Sequence, residues 1–478
     1  MPNLKPAGDR GALAIVLHTH MPYVEGFGRW PFGEEWLWEA MVGCYLPLLD
    51  LLDEGAPITL SITPVLCDQL EAPGVAERFQ SFVSELRAIT HREDADGMRA
   101  QGHEALALEL ERSWGEYEHA LERFHARGDD LLAGFARHAQ WTSSATHAVL
   151  PLLATEAGAR LQVRTGVEAH RARFGEGWQG GFWLPECAYE PWLQRALLDA
   201  GVHATCVELT NRFGLGAIEH LRPLQSESGL EIVPIDRATM ALVWSDEGYP
   251  AAGAYRDYHH HTLRHHTPWA NDGNPYEHGR ARALAREHAA DFVARTISRL
   301  REGAAAPGGG LAVCALDTEL LGHWWYEGIT WLAAVIEECA RQGLELVRLD
   351  DALQRIEPAP LAGDERWAAS SWGAEGDLST WSAPAVAEIA FATRAAELEV
   401  VGAGAGAGAT AARELLGLQA SDWAFMVSRD IAAPYARERF AGHRDRLAIA
   451  LAAGAEADPR DLRNLAVHAD PGSLLMID

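Results

Sequence analysis

The chain has no apolar run long enough to cross a bilayer, no Cys-x-x-Cys pair, no H-E-x-x-H and no excess of positive charge. The first absence excludes a helical membrane span. The apolar run that follows Lys5 and Arg10 is too short for a signal peptide and leads directly into His18-Thr19-His20, so it reads as a first strand. The second and third remove the common zinc frameworks. Six scattered cysteines (Cys44, Cys67, Cys187, Cys206, Cys314, Cys339) in so long a chain imply reduced thiols and a cytoplasmic protein rather than a disulfide scaffold. Lysine and arginine number 40 against 68 acids, a net charge of −28, which excludes nucleic acid and anionic membrane surfaces as partners. Such a charge suits solubility and does not repel a neutral ligand.

The 478 residues are 48% apolar, enough for a large core and more than one domain. Strand patterns recur at Ala12–Leu17, Ile58–Ile62, Gln140–Thr142, Gly181–Leu184, His203–Val207, Glu231–Ile235, Leu311–Leu316 and Glu345–Leu349. Several are continuous apolar runs, as expected for parallel strands buried on both faces. Helical periodicity fills the gaps, as in Glu35–Leu52, where Leu37, Met41, Cys44, Leu48 and Leu51 recur at spacings of three and four. Alternating strands and helices predict a (β/α) barrel or a doubly wound sheet. The barrel is favoured because polar and aromatic clusters follow the strand ends. Residues 91–130 read as a helical insertion. The proline-rich stretch near 355–365 reads as a boundary between a catalytic domain, 1–360, and an all-helical domain, 361–478. Gly402–Ala409, GAGAGAGA, reads as a flexible connection between helices.

Two strands end in an acid. Gly181–Leu184 runs through Pro185 to Glu186, and Leu311–Leu316 runs into Asp317, with His323, Trp324 and Trp325 beyond. A single strand-end acid is usually structural; two flanked by aromatics and histidines suggest paired carboxylates facing one another across a sugar. His18 and His20, two apart on one strand, point the same way. They could bind sugar hydroxyls or zinc, although the sequence nearby offers no further metal ligands. The Ser/Thr-rich turn before His147 is a weak signal alone. Tyr258-His259-His260-His261 with His265 and His266 has loop character and is a poor metal candidate. Gly308-Gly309-Gly310 precedes a strand, so it is a turn rather than a phosphate loop. Seventeen tryptophans is a high count; aromatic faces stack on sugars, but core packing accounts for most of them.

These motifs, in this order, resemble glycoside hydrolase family 57, in particular its 1,4-α-glucan branching enzyme-like group. His18-Thr19-His20-Met21-Pro22-Tyr23 with Trp30-Pro31-Phe32-Gly33-Glu34 is similar to the first conserved region, and Ala145-Thr146-His147 to the second. Trp183-Leu184-Pro185-Glu186 resembles the third, and Asp317-x-Glu319-Leu320-x-Gly322-His323-Trp324-Trp325 the fourth. Ser371-Trp372-Gly373 with Trp381 resembles the fifth, and Ser421-Asp422-Trp423 and Tyr435–Phe440 resemble the group's C-terminal helices. The resemblance implies a distorted (β/α)7 barrel, with a C-terminal helical domain closing over the cleft. It implies a retaining enzyme on α-1,4-glucans such as glycogen, amylose or maltooligosaccharides, with Glu186 as nucleophile and Asp317 as acid/base. Trp324 would help to raise the Asp317 pKa by desolvation. His18, His20 and His147 would hold hydroxyls, and Trp30, Trp244, Trp372, Trp381 and Trp423 would stack on the glucan. Arg237, Tyr249, His323, Trp324 and Asp422 complete the expected binding set. No metal or organic cofactor is expected, and the state is expected to be a monomer or weak homo-oligomer.

The departures concern transfer. Branching enzymes of this group carry a long loop with a tyrosine over the cleft after the fifth strand; here Glu208–Leu230 is short and has none. The usual arginine before the sixth-strand tryptophan is present only in shifted form, at Asp236-Arg237. Substantial hydrolysis is therefore expected beside branching, with Tyr249 as a compensating residue. The alternative is an α-amylase-like hydrolase. A non-catalytic glucan-binding protein and a metal-dependent deacetylase built on His18 and His20 are two further readings.

Overall fold

Strand β1, Ala12–Thr19, is buried at every residue and is paired on both sides. In this computed structural model, residues 11–28, 33–303, 310–361, 363, 367–454, 457 and 463–474 are described; Trp30 and its neighbours Pro31 and Phe32 lie outside them. The strands are β2 Thr59–Ile62, β3 Ala139–Ser143, β4 Gly181–Trp183, β5 Ala204–Val207, β6 Leu224–Gln225, β7 Glu231–Pro234, β8 Leu311–Asp317, β9 Glu345–Leu346 and β10 Ala359–Pro360. Seven of them run parallel in the order β8-β1-β2-β3-β4-β5-β7. Helices cover the outside, so these strands are apolar on both faces, as their sequences indicated.

At the β7–β8 seam a single backbone bond replaces a ladder: the Asp236 N–H donates to the Val313 carbonyl at 2.9 Å. Arg299, on the helix His278–Glu302, donates to the buried Asp236 carboxylate beside that bond. The result is a distorted (β/α)7 barrel. Outside the seam, β6 pairs antiparallel with β7, and β10 parallel with β6. Both are two residues long and carry no readable alternation, so the sequence did not reveal them. β9 joins the start of β1.

The predicted helix at Glu35–Leu52 is one continuous rod, with a π-helical segment at Met41–Tyr45 between α-helices Glu34–Ala40 and Leu46–Asp53. Gly43, in that segment, faces Gly322. A Cβ on Gly43 would lie 2.6 Å from the Gly322 carbonyl oxygen, and one on Gly322 would lie 2.0 Å from that of Gly43. Only glycine permits this approach, which seats the loop after β8 on the rod.

Between β2 and β3, helices span Ala88–Ala100 and Glu104–Ala126, and the run of helix begins earlier, at Val75. After Pro384 the chain is helical: Ala387–Ala403, Gly408–Leu418, Ser421–Ser428 and Ala433–Ala453. The GAGAGAGA stretch corrects the expectation of a flexible connection. Gly404–Ala407 is a 3₁₀ turn directly joining two helices, with Ala407 fully buried. Small side chains allow that close packing. The six cysteines are buried and unpaired, and no described helix is long and apolar enough to cross a membrane.

Candidate active site

Strand register assembles the site. His18 is opposite Asp317 on β8 and opposite Ser61 on β2, so the three share one level at the strand ends. On β4, Trp183 is opposite Ser143, and the chain then turns through Pro185 into Glu186. Glu186 and Cys187 both have positive φ, 63° and 50°. Non-glycine residues seldom adopt that conformation, and such residues concentrate at functional sites. His147, at φ 59°, is a third at the same site. The Trp372 N–H donating to the Glu186 carbonyl at 2.9 Å helps to hold the turn.

The Glu186 carboxylate accepts two hydrogen bonds, from Trp372 Nε1 at 2.7 Å and from Ser421 Oγ at 3.4 Å. Ser421 and Asp422 open the helix Ser421–Ser428, so the C-terminal helices contribute directly to the site. The Ser421 N–H donates to the His147 carbonyl at 3.1 Å. A chain of side chains leads to the same serine. Ser61 Oγ lies 3.2 Å from His18 Nδ1, His18 Nε2 lies 2.9 Å from His147 Nε2, and His147 Nδ1 lies 2.8 Å from Ser421 Oγ. Run in one direction, every group donates to the next and the serine hydroxyl ends on Glu186. His18 is stacked on Trp183, centroids 4.7 Å apart, and His20 on His147, 3.9 Å apart.

The charges are unequally placed. Burial pushes the Glu186 carboxyl up to about 7, with the Trp372 bond opposing the shift. Burial pushes Asp317 well above the usual carboxylate range, and the Glu186, Glu319 and Asp422 carboxylates add to it. Among the described residues no side chain donates a hydrogen bond to Asp317. Donors stabilise an anion, and neighbouring anions disfavour a second one. The proton therefore resides on Asp317 and the charge on Glu186. Burial lowers His18 and His147, keeping both neutral. Burial also pulls on His20, but Asp422, 3.0 Å from its Nε2, raises it overall.

His20, His147 and Asp422 each offer one ligand atom within 4.8 Å of the others. Of the two strand-end histidines only His20 belongs to this group; His147 follows β3 and Asp422 comes from the C-terminal helices. The imidazole nitrogens are all engaged in hydrogen bonds: those of His147 to His18 and Ser421, those of His20 to Thr63 and Asp422.

The other expected residues divide. Trp372 is on Glu186, and Trp244, 43% exposed, lies against Trp372 with centroids 5.4 Å apart. Trp324, also 43% exposed, packs with Tyr258 and His323. The upward shift of Asp317 arises first from its burial and then from the three neighbouring carboxylates. Arg237 lies 3.3 Å from the buried Glu208 carboxylate. Three expectations need correction. Trp423 is fully buried, its Nε1 on the Gly417 carbonyl. Trp381 is buried against Gly373. Neither ring has a free face on which a sugar can stack. Tyr249 donates to Asp291 at 2.8 Å and stacks on His288, both on the helix His278–Glu302, so its hydroxyl is committed there.

Glu319 and Tyr45 belong to the site although the sequence assigns them no role. Glu319 accepts from Tyr45 Oη at 2.6 Å and from the His20 N–H at 3.1 Å, and burial pushes it up to about 7. Its position two residues after Asp317 was the available signal. Nothing local marks Tyr45, which the Gly43–Gly322 approach brings in. Ser421 and Trp183 are marked in the sequence only as parts of motifs.

With this geometry established, likeness to known proteins is informative. The sequence model of glycosyl hydrolase family 57 matches residues 140–362, and that of the 1,4-alpha-glucan branching enzyme C-terminal region matches residues 390–468. A probable 1,4-alpha-glucan branching enzyme of Mycobacterium tuberculosis is 32% identical over 511 residues, spanning 95% of this chain and 94% of its own. A 1,4-alpha-glucan branching enzyme of Thermococcus kodakarensis is 30% identical over 502 residues, spanning 91% and 72%. The crystal structure of a family 57-type branching enzyme from Pyrococcus horikoshii superposes with a TM-score of 0.88 at 29% identity, covering 98% of this chain and 97% of that one. The chain belongs to glycosyl hydrolase family 57. Within the family its likeness is to the 1,4-alpha-glucan branching enzyme group.

Proposed function

We propose that the protein is a retaining α-glucan enzyme that cleaves α-1,4 bonds and transfers the released chain to make α-1,6 branches, with substantial hydrolysis alongside. The observation that carries the chemistry is the unequal carboxylate pair: Glu186 with two donors, Asp317 with none and three acids around it. Glu186 attacks the anomeric carbon while Asp317 protonates the departing glucosidic oxygen, which gives a covalent glycosyl-enzyme. Asp317, now ionised, takes the proton of an acceptor hydroxyl as its oxygen displaces Glu186, and the α-configuration is restored. His18, His20 and His147 hold hydroxyls next to the cleaved bond. Trp244 and Trp324 offer exposed faces for flanking sugars.

The names of the relatives support a sugar acceptor. The hydrolytic share rests on Glu208–Leu230, which has no tyrosine, and on Tyr249 being bound to Asp291. A cleft without that tyrosine lets water compete for the glycosyl-enzyme. The reading carries with it a division at residues 360/361, a cytoplasmic location and a monomer or weak homo-oligomer. Incubation with amylose, followed by debranching and chain analysis, tests it. Short chains released only by debranching are expected, together with new reducing ends. Reducing ends without branches would leave an α-amylase-like hydrolase; neither product would end the assignment.

A further inference from the structure

Three arginines converge where the loop after β1 meets the C-terminal helices. Arg439 and Arg446, on the helix Ala433–Ala453, and Arg463 line a cavity of about 260 Å³ with Tyr23, Glu25, Gly26 and Phe27. None of the three forms an ion pair among the described residues, in a chain where acids outnumber bases 68 to 40. By contrast, Arg87 is paired with Glu35 and Glu39, Arg256 with Glu109 and Arg299 with Asp236. Arg439 is 6% exposed, and its Nε is buried with no hydrogen-bond partner. Its guanidinium lies over Phe27, 4.3 Å from the ring centroid, and its Nη2 reaches only the Tyr23 carbonyl at 3.5 Å. A buried guanidinium donor left unsatisfied is costly, and an anion would satisfy it.

The surroundings are built to hold these groups. The Arg463 guanidinium lies directly over Gly26, where a Cβ would sit 1.8 Å from Nη1. Arg413 Nη2 donates to the Arg463 carbonyl at 3.0 Å, and the next residue, Asn464, donates its N–H to Glu25 Oε2 at 3.1 Å. Glu25, the one acid in the lining, also accepts from Tyr23 Oη at 3.1 Å, so that oxygen is already occupied. Three guanidiniums against one carboxylate leave two positive charges. We propose that this cavity is a binding site for a phosphate dianion, free or carried on a small sugar, separate from the carboxylate pair. Guanidinium forks match phosphate oxygens. The volume is below the roughly 300–1,000 Å³ of pockets for drug-sized ligands, which suits a compact anion and excludes a glucan chain. The anion would join the β1 loop, which follows His20, to the helix packed on Ser421–Ser428.

The test is titration calorimetry on the full chain with inorganic phosphate and, separately, with a hexose monophosphate, at constant ionic strength set by chloride. Saturable binding is expected, weakened at least tenfold in Arg446→Gln and in Arg463→Gln. Neither residue is in the core, so both variants should fold, and circular dichroism checks this. Equal affinity for the two probes assigns the site to phosphate alone; tighter binding of the ester assigns part of the cavity to the sugar. Absence of saturable binding, or binding unchanged in both variants, overturns the proposal.

Discussion

The two acid-bearing strand ends, β4 and β8, are built differently. β4 ends in a strained turn that holds Glu186 at positive φ beneath an indole N–H and a serine hydroxyl. β8 runs straight into Asp317 with ordinary extended backbone, no side-chain donor among the described residues, and three carboxylates nearby. Two buried carboxyls in one cleft thus have opposite preferences. Hydrogen-bond donors, rather than residue type, decide which carries charge at neutral pH. The difference teaches which acid attacks and which donates a proton, and it can be broken one side at a time.

The largest effect is expected from Glu186→Gln, which removes the attacking oxygen and should lower turnover by roughly 10⁴-fold or more, read as reducing ends and branches from amylose. Asp317→Asn should cost roughly 10²–10⁴-fold, and less with a substrate whose leaving group needs no proton. Trp372→Phe removes a bond to a charged oxygen worth about 1.5–3 kcal/mol, which predicts a loss of roughly ten- to a hundredfold in kcat/KM. It should also move the pH profile. In the parent enzyme kcat/KM should rise with pH as Glu186 ionises near 7 and fall when Asp317 loses its proton. The Trp372 bond lowers the Glu186 pKa, so losing it moves the acid limb to higher pH. Glu319→Gln removes a charge that raises Asp317, so the alkaline limb should move to lower pH with a smaller change at the optimum. Tyr249→Phe should leave the branching-to-hydrolysis ratio unchanged and cost about 0.5–1.5 kcal/mol of stability, measured by urea denaturation.

The same contrast explains what the sequence could convey. Seven of the eight expected strands are present, because a strand buried on both faces is apolar along most of its length, as β1 and β8 are; the eighth, Glu345–Leu349, is corrected to a two-residue strand, Glu345–Leu346, with Leu349 opening a helix. Two-residue strands such as β6 and β10 have no period to read. Glu186 and Asp317 stand out as acids that end apolar runs, and motif order strengthens them. The errors fall on tryptophans. An indole in the core and an indole in a cleft look alike in sequence, so Trp381 and Trp423 were given faces that packing covers. Tyr249 failed for a similar reason: its partner, Asp291, is 42 residues away on a separate helix. The Ser421 hydroxyl on Glu186 and the link from Tyr45 to Glu319 depend on chain closure over 235 and 274 residues. No local pattern encodes contacts of that span.

The central claim is that Glu186 becomes covalently bonded to the glucan. Mass spectrometry of Asp317→Asn, quenched during reaction with an α-glucosyl fluoride, tests it most directly. Fluoride leaves without a proton, and without its acid/base the variant should release the sugar slowly. A glucosyl adduct is predicted on the peptide that contains Glu186. An adduct on another residue, or no adduct together with β-configured product, would contradict the account.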